Sequence, residues 1–297
     1  MTLTRDWQFD LAGVGFGYGE SVSLGKFERG GFSVRDQDQP SVDEDAIIFG
    51  RDHKTPDAWN FTLYTDLSDL TNALNTVEAL ESLWDASGTR DTPQAVLPLR
   101  YRINGRIRRI YGRPRRFNAT PQSVAQQGKI GIVADFLPAH TGTFDDSSND
   151  QTFAVGTATF GPSGVTFPVT FPYLWGGTTG SPQTRTLTVA GTQRTFAIAT
   201  ITAGSGILTN PYLVIDGTTL KLSGSLSPGD SVVLNSNPWE TGIYRTDGTT
   251  SSLVLDAISV LSTLRLDPGP HTITFGGTDG TGSAHATVGA RAHYASM

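Results

Sequence analysis

The chain has 297 residues and a formal net charge of −6, with 37% apolar residues, 17% charged residues and no cysteine. That length buries one full core and more readily two, and a composition rich in Gly, Thr and Ser is that of a β-rich globular protein. Disulfides and thiolate metal sites are excluded, a pI near 5.3 argues against a broadly basic nucleic-acid surface, and no apolar run approaches the ~18 residues that span a bilayer.

The N-terminus, "MTLTRDWQFDLAGVGFG", lacks the basic region and apolar run of a signal peptide. Residues 1 to about 66 alternate short apolar segments ("WQFDL", "SVSLGKF", "AIIFG", "AWNFTLYT") with turn clusters, which predicts strands, and an acidic loop, "RDQDQPSVDED", interrupts them. Gly13, Gly15, Gly17 and Gly19 in "GVGFGYG" do not fit a dinucleotide loop, since the third glycine of that motif would fall on Tyr18 or Glu20. Alternating glycines in a strand point instead to a bulge or to close packing against another chain. Next, "DLSDLTNALNTVEALESLWDASG" predicts a helix with Leu70, Leu74, Val77, Leu80 and Trp84 on one stripe. Asp66 or Ser68 is expected to cap its start, and Gly88 to end it.

"RYRINGRIRRIYGRPRRF", residues 100–117, holds eight of the 22 basic residues: Arg100, Arg102, Arg106, Arg108, Arg109, Arg113, Arg115 and Arg116. Asn104-Gly105 marks a hairpin. A two-residue turn would pair Arg102 with Ile107 and mix polar and apolar side chains on both faces. A three-residue turn pairs Arg102 with Arg106 and Arg100 with Arg108, and sorts the faces cleanly; this register is the one expected. It aligns four arginines on one face, which demands water or counter-charges opposite. A solvated face, a nucleic-acid strip and a protein interface are all open to it. The interface is favoured, with the acids Asp36, Asp38, Asp43, Glu44 and Asp45 of a neighbouring subunit facing Arg100, Arg102, Arg106 and Arg108.

"KIGIVADFLP" predicts a further strand, and "TGTFDDSSNDQT" reads as a polar linker. Domains are therefore expected at 1–146 and 152–297. After residue 146 there are 6 basic and 8 acidic residues, against 16 and 20 before it, together with 20 of the 34 glycines. Strand-sized runs separated by turn signals follow one another without a helix, the pattern of a β-sandwich or jelly roll.

Catalytic chemistry does not announce itself. There is no Walker loop, G-x-S-x-G or H-E-x-x-H, and His53, His140, His271, His285 and His293 lack metal-ligand spacing. "DDSSND" (145–150) lacks the glycine and the distal glutamate of a calcium loop. Asp43, Glu44, Asp45 and Glu240 are acid candidates for glycoside hydrolysis only in the sense that such a pair leaves no sequence trace. Trp175 in "YLWGG" and Trp239 in "NPWETG" lie beside turns, where an exposed indole could stack on a sugar; core packing is the competing role. The expectation is a non-enzyme with no catalytic residue, metal or cofactor.

The N-terminal sheet opening on "WQFDLAGVGFG", one helix, the arginine hairpin running into "YGRPRRF", the strand "GKIGIVADFLPAH" and the closing "RAHYASM" together resemble the distal tail proteins of long flexible-tailed bacteriophages. The resemblance is best to those of actinobacterial phages. It is carried most specifically by "VTFPVTFPYLWG", "LTNPYLVIDG", "LSPGDSVVLNSNPWETGIYRTDG" and "LDPGPHTITFGGTDGTGSAHATV", and departs at Ala290, where relatives often carry Trp. It implies a mainly β protein: a barrel-like ring-forming domain with one helix and a long hairpin, then a galectin-like or jelly-roll sandwich. It further implies a ring, usually of six copies, at the virion's tail tip, assembled in the host cytoplasm. The implied partners are copies of itself, the tail tube protein, tail-tip and tail-associated proteins and the tape measure protein. DNA would pass only in transit. A carbohydrate-binding adhesin that recognises cell-wall glycan through Trp175 or Trp239 is the alternative.

Overall fold

A computed structural model describes residues 2–40, 47–65, 70–120, 130–154, 183–245, 253–279 and 281–295. The chain forms two compact units, Met1–Asp146 with Tyr294–Met297, and Ser147–His293. Both are built almost wholly from antiparallel strands.

In the first unit one sheet runs in the order Val14–Gly17, Gln8–Leu11, Leu97–Ile103, Arg106–Thr120, Gly131–Pro138, Trp59–Thr65, Val22–Glu28. Its two end strands are consecutive in the chain. Only a few residues join Gly17 to Val22, a reach of at most about 18 Å, so the sheet has to curl toward closure like a barrel. Period-two alternation then puts one side of each strand inside: Trp59, Phe61, Leu63 and Thr65 are buried while the residues between them are not. Aromatic rings fill the interior. Phe9 stacks on Phe16 with centroids 5.4 Å apart and meets Phe61 edge-on at 5.2 Å, the geometries that ring quadrupoles favour.

The helix Leu70–Asp85 lays Ala73, Val77, Leu80 and Trp84 into this core. Trp84 meets Phe16 edge-on at 5.9 Å and donates its indole N–H to the Asp135 carbonyl at 3.0 Å, satisfying its one polar atom. The stripe is shifted from the expected one, because Ala73 is buried whereas Leu74 is 39% exposed. Ala86, at φ 47°, ends the helix in place of Gly88, which lies in a following short turn of helix, Ser87–Arg90. Asp66 and Ser68 lie outside the described residues.

The glycine run has a local explanation. Gly17 sits at φ 114°, and a Cβ there would lie 2.2 Å from the Trp7 carbonyl oxygen. The close packing is against its own chain.

The second unit is a sandwich. One sheet runs Asn149–Ala154, His285–Ala290, Thr195–Thr202, Ser231–Asn235, Gly242–Arg245, and the other Gln183–Val189, Gly269–Asp279, Leu208–Ile215, Thr218–Ser223, Val254–Leu255. A single core lies between them. Ala197, Ala199, Ile201, Val232, Leu234, Ala286 and Val288 from the first sheet meet Leu187, Leu213, Ile215, Leu220, Ile273 and Phe275 from the second. Ala290, at the departure from the tail-protein pattern, is buried at the rim of this core.

An ion pair pins the turn Asp216-Gly217 to the neighbouring strand. His271 is 9% exposed, with Nδ1 2.6 Å from Asp216 Oδ2 and Nε2 2.6 Å from the Asp267 carbonyl oxygen. Two acceptors on one ring favour the doubly protonated imidazolium. Burial alone would lower the His271 pKa, but the bonds to Asp216 and Asp267 outweigh it and the net shift is upward. Asp216 is held below its usual value, chiefly by the His271 bond. The sign follows from linkage: the histidine's contribution to stability is full below its unfolded pKa near ~6.5 and is lost as pH rises through the raised folded value. The aspartate's is full above ~3.9 and is lost as pH falls. Denaturant midpoints of this unit should therefore fall as pH rises from 6 toward 9, and His271→Gln should flatten that dependence. An unchanged slope in the variant would show that the pair does not govern it.

Candidate functional site

The arginine hairpin joins Leu97–Ile103 to Arg106–Thr120. Asn104 and Gly105 both have positive φ, 52° and 71°, which makes a two-residue turn of type I′. The register is accordingly Ile103 opposite Arg106, Arg102 opposite Ile107, Tyr101 opposite Arg108 and Arg100 opposite Arg109. This corrects the three-residue turn expected from the sequence. Clean sorting of side chains is a constraint only where one face is dry and the other wet. Here both faces meet other protein groups, so the turn chemistry of Asn-Gly prevails.

On one face Arg100 and Arg109 stand directly opposite each other, a repulsive arrangement by itself. Asp146 lies between them. Arg100 donates from Nε and Nη2 to the two carboxylate oxygens at 2.9 and 2.8 Å, a bidentate fork, and Arg109 donates from Nε to Oδ1 at 3.0 Å. The remaining Arg100 nitrogen, Nη1, reaches Asp10 at 2.9 Å, and Asp10 is 2% exposed. Burial would raise the Asp146 pKa, but the bonds to Arg100 and then Arg109 reverse it, and its net pKa is lowered. Arg100 shifts upward, chiefly through the Asp146 bond. Arg102 donates to the Leu3 carbonyl at 3.1 Å and lies 3.4 Å from Asp6, although its buried Nε is not aligned for a hydrogen bond there.

On the other face Arg108, 5% exposed, donates to Thr143 Oγ1 at 3.1 Å and lies 4.0 Å from the centre of the Tyr294 ring, a cation–π contact. Asp145 is 3.8 Å away. Arg113 holds the carbonyls of Ala95 and Thr92, and Arg116 pairs with Asp135. A bulge between Pro114 and Phe117 turns Arg115 and Arg116 outward together. Arg106 and Arg115 are exposed, and no described residue pairs with them.

The counter-charges found within the chain are thus Asp6, Asp10, Asp145 and Asp146, with Asp135 beside Arg116, and not the acidic loop. Asp145 and Asp146 come from the segment read as a linker, and Thr143–Asp145 is a strand paired with Arg108 and Arg109. No local pattern marks Asp6, Asp10, Asp145 and Asp146, because their pairs with the arginines span 37 to 96 residues. Of the loop acids, Asp36 and Asp38 are exposed, with Asp38 accepting from the Gly50 amide at 2.9 Å; Asp43, Glu44 and Asp45 lie outside the described residues. Asp36 and Asp38 belong to an unusual element. Phe32–Arg35 pairs with His53–Pro56, and Gln39–Pro40 with Ile47–Ile48, as two-stranded ribbons apart from the main sheet. Phe32, Val34, Ile47 and Phe49 on this arm are 52%, 49%, 61% and 81% exposed.

In the second unit Trp239 is 9% exposed and packs edge-on to Phe196 at 5.7 Å. Its indole is taken up by packing, the role set against sugar contact for this residue. Trp175 lies outside the described residues. Glu240 is committed to a turn, accepting from Asn235 Nδ2 at 3.0 Å.

No family model and no curated protein matches the sequence. Solved structures do. The chain is similar to the Dit protein of phage SPP1, described as a paradigm of the hub adsorption apparatus in phages infecting Gram-positive bacteria. The TM-score is 0.55 and the identity 12%, covering 95% of this chain and 97% of that one. It is equally similar to a chain of the phage p2 baseplate in its activated conformation with strontium, at TM-score 0.55 and 10% identity, again covering 95% and 97%. The fold is that of these phage hub and baseplate chains.

Asp146→Asn should keep the shape of the carboxylate and remove its charge, leaving Arg100 and Arg109 opposed. A loss of about 1–3 kcal/mol in urea unfolding is expected, against less than about 0.5 kcal/mol for Arg106→Ala on the exposed tip. Equal effects would show that Asp146 does not bridge the pair in solution.

Proposed function

We propose that the protein is a structural hub component of a phage tail tip. It assembles with further copies of itself into a closed ring, six-membered as the tail-protein resemblance implies, that joins the tail tube to the tip proteins and encircles the path of DNA during ejection. On this reading it belongs to the virion and acts by assembly without catalysis. The observation that carries it is the fold likeness, which extends over 95% of the chain and so takes in both units.

The arm supports self-association. A two-stranded ribbon by itself is marginal in water, and this one exposes four large apolar side chains. Lys54 lies 4.7 Å from the centre of the Phe32 ring, which is thin cover. Such a surface gains by being buried on a neighbour. In a cyclic assembly each contact joins two different faces, so an arm on one subunit can lie on the body of the next without needing self-complementarity.

Light scattering on the purified protein tests this. A six-membered ring would weigh roughly 190 kDa, six times the 31.7 kDa chain. Phe49→Asp, on the exposed arm, should shift the mass toward the monomer while leaving the unfolding midpoint within about 0.5 kcal/mol of the parent. A monomer at every concentration and salt would overturn self-assembly.

A further inference from the structure

We propose that the concavity at the tip of the arginine hairpin is a carboxylate receptor, and that its occupant is an acidic side chain from the 36–45 stretch of a second copy of this chain. The inference rests on the ring reading and adds a named contact to it. The two-residue turn puts Tyr101 opposite Arg108 and Ile103 opposite Arg106. Two steps along each strand return to the same side, so these four side chains share one face, and with Asn104 they line a concavity of about 370 Å³.

The lining has the chemistry of a carboxylate seat. Arg106 is exposed at its mouth, and no described residue pairs with it. Arg108 is held rigidly below by Thr143 and the Tyr294 ring. Tyr101 is 1% exposed, and its hydroxyl is buried beside Thr143 without a well-formed hydrogen bond. A buried O–H left in that state costs about 1–3 kcal/mol, and burial raises the phenol's pKa, so it stays protonated as a donor. A carboxylate entering the concavity would accept from the Tyr101 hydroxyl and the Arg106 fork together, with Ile103 against its methylene stem.

Charge selects the occupant. Among the described residues, Asp146, Asp10 and Asp6 are engaged by the opposite face of the hairpin or by the turn itself, where Asp6 accepts from the Gly105 amide at 2.9 Å, and Asp145 lies 3.8 Å from Arg108, so that Arg106 is the lining cation left to a further carboxylate. The stretch 36–45 carries five acids in ten residues and no base. Its first acid, Asp36, directly follows the exposed ribbon strand Phe32–Arg35. An arm seated on a neighbour would therefore deliver carboxylates with the same contact that buries its apolar residues.

The test measures assembly of the full chain by light scattering, with unfolding measured in parallel. Four proteins are compared: the parent, Arg106→Glu, Tyr101→Phe, and a chain neutralised at the five acids (Asp36→Asn, Asp38→Asn, Asp43→Asn, Glu44→Gln, Asp45→Asn). Each variant should raise the concentration for half-assembly about tenfold or more. Combining Arg106→Glu with the neutralised stretch should cost no more than the worse of the two, because both remove the same contact. Tyr101→Phe is the most telling. If the hydroxyl were only a packing defect, its removal would leave the ring unchanged and the fold equally or more stable. Rings that form as readily in Arg106→Glu and Tyr101→Phe as in the parent, or fully additive losses, would overturn the receptor and leave the ring standing. A parent that never assembles would overturn the ring reading and the receptor with it.

Discussion

The first unit depends on one carboxylate held between two guanidinium groups. Arg100 and Arg109 are forced into direct opposition by the Asn-Gly turn, and in that register the pair is repulsive unless a negative charge lies between. Asp146 supplies it, accepting two charge-assisted bonds from each guanidinium. The same bonds draw together parts of the chain that local structure leaves independent. Asp10 comes from the first strand, Arg100 and Arg109 from the middle of the sheet, and Asp146 from the last residue before the second unit begins. Lysine could not replace arginine here, since a point charge cannot serve two oxygens of one carboxylate and a second acid at once.

With that clamp in place, most of the arginines are structural. Arg100, Arg102, Arg108, Arg109, Arg113 and Arg116 each hold a group of their own chain. A basic segment that looks like a recognition surface is mainly an internal framework, and only its tip and the bulge at Arg115 face outward. Any contact made with another molecule at this hairpin then rests on few residues set on a rigid support. The arm is of the opposite kind, exposed, apolar and acidic, and paired apart from the main sheet.

The second unit reaches stability by different means. Small residues on one inner face, Ala197, Ala199, Ala286 and Ala290, let the facing sheet with its Leu, Ile and Phe side chains close over them. Few charges are needed, and those present serve turns. The His271–Asp216 pair is the clearest case, because it ties a type I′ turn to the adjacent strand and makes that attachment depend on pH.

Several features were legible in the sequence because they follow from local rules. Alternation marked the strands, a 3.6-residue period marked the helix, and Asn104-Gly105 marked the hairpin. The change in composition after residue 146 marked a second unit rich in strands. The hairpin register was also written there, in the preference of Asn-Gly for a type I′ turn, and sorted faces do not compete with it where both sides of the hairpin meet protein groups. Leu74 and Trp239 show the other limit. Each has the residue type for the role expected of it, but helix phase leaves Leu74 half open and a neighbouring Phe closes over Trp239. The partners of the arginines lay beyond sequence reasoning. A carboxylate 46 residues from one guanidinium and 37 from the other carries no signature of that relation. Ion pairs of that reach are fixed by strand order and sheet curvature. Sequence thus determined which elements form and where the charges sit along the chain, and only the tertiary structure decided which charges meet, because electrostatic attraction acts through space once packing has set the distances.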